Sequence, residues 1–135
     1  MEERNEVRGP AAVASMSPRE AYRAAKESGA VIVDMRPGHE VSYRVFDVPE
    51  VVCIPRSEIA ARAGELPGER LLIVADSVGL HSRAAAEVLS AAGLGPVASL
   101  TGGMVDWERD GLPVRKDPDF ELRGQCGCKL RSRKS

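Results

Sequence analysis

No stretch of the chain approaches the length of a membrane-spanning helix, and neither sign of charge predominates. With 19 Lys and Arg against 20 Asp and Glu, the formal charge of -1 gives no general attraction to nucleic acid or to an anionic membrane, so neither is an expected partner. No internal repeat and no low-complexity segment occurs. Cysteine is scarce and odd in number: Cys53 lies in an apolar stretch, and Cys126 and Cys128 lie near the C-terminus. The first residues, MEERNEVRGP, are charged and lack the apolar centre of a signal peptide. Together these features argue against a secreted disulfide framework and lead to the expectation of reduced thiols and a cytoplasmic location.

What is present suits a soluble domain with a real core: 43% of the 135 residues are hydrophobic and 29% charged. The chain is organised around residues 71–92. Leu71 to Ala75 is an unbroken apolar run of the kind that forms a strand buried on both faces. It stops at Asp76, and Asp76, Ser77, Val78, Gly79, Leu80 and His81 read as a tight loop. Ser82 is the expected N-cap of a helix through Ala92, closed by Gly93. A loop at a helix N-terminus aims unpaired N–H groups and the positive end of the helix dipole at one point, which favours an anion or a thiolate.

The rest of the chain alternates strand and helix. Residues 1–11 read as a leader and Ala12 to Met16 as an edge strand. Ser17-Pro18-Arg19-Glu20 is a capping box with proline at the first helical position, predicting a helix from Pro18 to about Ser28 that Gly29 ends. Ala30 to Asp34 is a second buried strand, His39 to Tyr43 a turn of helix, and Val51 to Ile54 a third strand. Residues 44–50 give no clear signal. Ser57 is expected to cap a helix through Ala63. Val97 to Leu100 completes the strands, and Thr101-Gly102-Gly103 turns into a helix from Met104 to Arg109. The expected fold is α/β, with a mainly parallel sheet of four or five strands and helices on both faces, over residues 12–114. Residues 115–135 read as a tail carrying Cys126-Gly127-Cys128. In such folds ligands bind outside the carboxyl ends of the strands, where the Asp76 loop falls.

The order of these pieces resembles a single rhodanese domain from about Ser15 to Val114. The resemblance rests on the Met16-Ser17-Pro18-Arg19-Glu20 helix start, on Val33-Asp34-Met35-Arg36 followed by His39-Glu40, and on the Val51 to Pro55 strand leading to Ser57. The apolar strand with its six-residue loop, Leu100 to Trp107, and Gly111-Leu112-Pro113-Val114 complete it. Active members of that family accept sulfur on a loop cysteine as a persulfide and pass it to a nucleophile. The resemblance places Asp76 at the position of that cysteine and His81 where a basic residue commonly closes the loop. It also implies a Gly-His-Ile-Pro-Gly-Ala run before the third strand, where this chain reads Val45-Phe46-Asp47-Val48-Pro49-Glu50-Val51.

Persulfide chemistry needs a polarizable nucleophile of lowered pKa, and aspartate is not one. The Asp76 carboxylate either folds into the loop N–H groups as a built-in anion or faces outward toward a cation or a basic partner. His81 is a general-base candidate or a plain loop residue, and Ser77 and Ser82 are loop and cap residues unless a base adjoins them. Asp34 and Arg36 are expected to pair, and Cys53 to be a small core residue. The Cys126 and Cys128 pair is a candidate sulfur acceptor, local disulfide or half zinc site. His39 and His81 show no ligand spacing with it, so no metal and no cofactor is expected. The reading is a binding or regulatory module built on a sulfurtransferase scaffold, with an unknown protein or a small sulfur-containing or charged ligand as its partner. The alternative is a sulfur or redox carrier working through Cys126 and Cys128.

Overall fold

The computed structural model describes residues 13–38 and 44–116. The expected leader, the turn of helix at His39 to Tyr43, and Cys126 and Cys128 lie outside the described residues.

Strand β1 (Ala14–Met16) runs into helix α1 (Pro18–Glu27), which starts where the capping box predicts. The Ser17 hydroxyl accepts from the Glu20 N–H at 3.2 Å, and the Glu20 carboxylate accepts from the Ser17 N–H at 2.9 Å. There follow β2 (Val31–Asp34), β3 (Val45–Phe46), β4 (Val51–Cys53), β5 (Leu72–Ala75), helix α2 (Ser82–Ala91), β6 (Val97–Leu100), helix α3 (Gly103–Arg109) and β7 (Val114–Arg115). The main sheet has five strands in the order β1-β6-β5-β2-β4, and every pairing in it is parallel.

The period-two pleat explains why the two central strands are apolar throughout. Ile32 and Ile73 face a cluster built with Ala21 of α1 and Met104 and Trp107 of α3. Their neighbours Val31, Val33, Leu72 and Val74 face the opposite cluster, which holds Ala85, Ala86 and Leu89 of α2. All six of these strand residues are fully buried. Helices therefore cover both faces.

Two local expectations are corrected. Ser57 caps no α-helix: residues Arg56–Glu58 and Ala63–Glu65 form two 3₁₀ turns, and Pro55 precedes the first with no side-chain cap. Arg62 holds the two turns together, binding Glu65 at 3.0 Å and Glu58 at 2.7 Å. Those carboxylates, Glu65 first, raise the Arg62 pKa above its usual value. Ser82 is not the N-cap but the first residue of α2; His81 occupies the cap position. The unassigned segment 44–50 contains β3, which pairs antiparallel with β7 in a small second sheet. Strand β7 spans Val114–Arg115. Trp107 anchors the small sheet, with its ring edge-on to Phe46 at 4.9 Å and its Nε1–H donated to the Pro113 carbonyl at 2.8 Å.

Candidate functional site

Strands β2, β4 and β5 end level, since Asp34 lies opposite both Cys53 and Ala75. The segments that leave them are stitched edge to edge. The Met35 N–H donates to the Ala75 carbonyl at 2.9 Å, and the Arg56 N–H to the Met35 carbonyl at 3.1 Å. The loop after β5 is tied to α3 through Met104 N–H to Asp76 carbonyl (2.9 Å) and Val105 N–H to Ser77 carbonyl (3.0 Å). A cavity of about 410 Å³ opens between these segments, lined by Met35, Arg36, Pro37, Pro55, Arg56 and Ser57 on one side and by Asp76, Ser77, Val78, Leu80 and His81 on the other.

Asp76 is buried, and its carboxylate is turned into the loop. Oδ1 accepts from the Gly79 N–H at 2.6 Å and Oδ2 from the His81 N–H at 2.7 Å. The negative charge also sits at the N-terminus of α2, which the helix dipole favours. Asp76 thus satisfies the amide of the cap residue His81, although α2 itself has no side-chain cap hydrogen bond. Gly103 lets the loop lie this close: at φ +60° it presses against the Asp76 carbonyl and Ser77, where a Cβ would collide with backbone.

His81 and Arg56 are exposed. The Arg56 guanidinium lies 3.0 Å from His81 Nδ1, and because arginine has no acceptor, Nδ1 receives the bond and the imidazole proton stays on Nε2. No carboxylate approaches His81 in an ion pair among the described residues, so the orienting group of a general-base dyad is missing there. Arg36 is buried and doubly bound to Asp34, at 3.0 Å through Nε and 2.7 Å through Nη2. It also donates to the Arg44 carbonyl at 2.6 Å and lies over the Phe46 ring. It lines the cavity as a fixed structural pair. Cys53 is buried in the core, as expected.

Sequence reading singled out the loop residues and missed Arg56. Its signal was present: Pro55-Arg56-Ser57 follows a strand directly, at the sheet edge where such folds bind ligands. Among the described residues no cluster of three or more His, Cys, Asp and Glu is placed to hold a metal ion, and no helix is long and apolar enough to cross a membrane.

A parallel sheet covered by helices, with an anion cradled by loop amides at a helix N-terminus beyond its carboxyl edge, defines a class of α/β loop-site domains. The chain belongs to the rhodanese-like family, whose domain model matches residues 17–110. It is 30% identical over 92 residues to a sulfurtransferase of Allochromatium vinosum, covering 68% of this chain and 84% of that protein. It is 30% identical over 99 residues to the thiosulfate sulfurtransferase GlpE of Actinobacillus pleuropneumoniae serotype 7, covering 73% and 90%. Among solved structures, a rhodanese-related protein of Thermoplasma volcanium superposes with a TM-score of 0.68 at 25% identity, over 76% of this chain and 97% of that one. A rhodanese-like domain protein of Staphylococcus aureus superposes with a TM-score of 0.64 at 24% identity, over 77% and 100%.

Proposed function

We propose that this rhodanese-like domain is a non-catalytic binding or regulatory module related to the sulfurtransferases. The observation that carries the reading is the Asp76 carboxylate, which already fills the N–H groups of Gly79 and His81. Sulfur transfer requires a thiolate that attacks a sulfane sulfur and later releases it; a carboxylate bound inside its own loop can do neither. The same fixed charge repels the anionic donors a vacant cradle would attract. What remains is a shaped cavity, suited to holding a partner. That partner is a protein or a small charged ligand, with no cofactor required.

The test is a thiosulfate:cyanide assay on the intact chain, run beside intact mass spectrometry after exposure to thiosulfate, with peptide mapping of any added sulfur. The expected result is no turnover and no added sulfur. Turnover that survives replacement of both Cys126 and Cys128 by serine overturns the reading. Sulfur mapped to Cys126 or Cys128 supports the carrier alternative instead.

A further inference from the structure

Among the described residues four large hydrophobic side chains are exposed: Val78, Leu80, Val88 and Val105. Two of them line the candidate site, and a third lies on the helix tied to its loop. Val78 and Leu80 belong to the loop itself and are 54% and 73% exposed; Val105 sits where α3 is tied to the loop by the Ser77 carbonyl. Val78 and Leu80 gain nothing from the fold of this chain, and their place together at the cavity is the mark of a contact surface.

The charge at the same place has one sign. Both Asp76 oxygens are spent on loop amides, and Arg36 is neutralised by Asp34. Arg56 is different: it is exposed at the cavity mouth, its side chain bonds to a neutral imidazole nitrogen, and it makes no ion pair among the described residues. A guanidinium in that setting presents a fork that matches a carboxylate.

We propose that the occupant of this site is a segment of another protein that lays a carboxylate side chain or chain terminus on Arg56 and an adjoining apolar residue against Val78 and Leu80. The inference rests on the binding-module reading and names the partner's chemistry. A small anion would satisfy Arg56 and leave the apolar rim bare, whereas a peptide covers both.

Selection of a random dodecapeptide phage library on the immobilised full chain tests this, followed by fluorescence anisotropy with the enriched peptide. The expected outcome is a consensus with Asp, Glu or a free C-terminus beside an apolar residue. Its affinity should fall about tenfold in Arg56→Gln and in Leu80→Ser, both exposed positions outside the core. Arg56→Glu should then prefer the same peptide with lysine in place of its acid. No consensus above the blank support, a consensus without a carboxylate, or unchanged affinity in either variant overturns the proposal. The readout is independent of sulfur chemistry. Turnover together with an acidic consensus removes the non-catalytic reading and leaves the docking surface standing, and the reverse result separates them the other way.

Discussion

The backbone N–H of His81 donates to the Asp76 carboxylate at 2.7 Å, a bond that closes the loop between β5 and α2. Because the carboxylate is buried and also holds Gly79, its removal strands two amide donors at the start of α2. Charge-assisted bonds of this kind are worth roughly 1.5–3 kcal/mol each. Asp76→Ala should therefore lower unfolding stability by about 3 kcal/mol in urea titrations, and Asp76→Asn, which keeps one acceptor oxygen, by less. Equal stability of all three proteins would show that the loop closes without the carboxylate.

Asp76→Cys tests the same relationship from the chemical side. The two amides and the α2 dipole that now serve a carboxylate are the groups that stabilise a thiolate. The variant should gain sulfur at position 76: the introduced thiolate attacks the sulfane sulfur of thiosulfate, the S–S bond breaks, and sulfite departs. Intact mass spectrometry with peptide mapping reads the result. A thiol left unmodified at that position after prolonged exposure would mean that the loop amides and the α2 dipole do not by themselves make it reactive.

These features differ in how far they could be read from the chain. The capping box at Ser17 and Glu20, the buried runs ending at Asp34 and Ala75, and the loop between β5 and α2 each depend on neighbours in sequence, so local chemistry exposes them. Strand β3 depends instead on Val114 and Arg115, far along the chain, and a two-residue strand carries no period of its own. Arg56 escaped notice for a similar reason. Pro55-Arg56-Ser57 places it just past a strand end, but its 3.0 Å contact with His81, 25 positions later, is not legible from neighbours in sequence. The α2 cap falls at His81 and not Ser82, and His81 donates its amide to Asp76 five residues earlier, a loop bond that cap propensity alone does not reveal.

Asp34 and Arg36 offer a second energetic test. Both are buried, and the pair is bonded at 2.7 Å. Asp34→Ala leaves a buried guanidinium without its counter-charge and should cost about 3–5 kcal/mol; replacing both residues by apolar ones of similar volume should cost distinctly less than the sum of the single changes. A double-mutant cycle by chemical denaturation measures the coupling. Strict additivity would mean that the Arg44 carbonyl and the Phe46 ring hold Arg36 without help from Asp34.

Gly103 and Gly111 separate backbone strain from steric collision. Both have positive φ, +60° and +76°, so alanine at either position carries the left-handed penalty of about 1 kcal/mol. At Gly111 a Cβ meets nothing within 4 Å, and Gly111→Ala should cost no more than that penalty. At Gly103 the Cβ would run into the Asp76 carbonyl and the Ser77 backbone, so the loop must move away from α3 or the helix must shift. Gly103→Ala should therefore cost at least about 2 kcal/mol more than Gly111→Ala, an overpacking effect. It should also raise hydrogen exchange at the Met104 and Val105 amides, which bond to the Asp76 and Ser77 carbonyls. If the two alanine variants unfold at the same denaturant concentration and exchange alike, the loop is not held in place by its contact with α3.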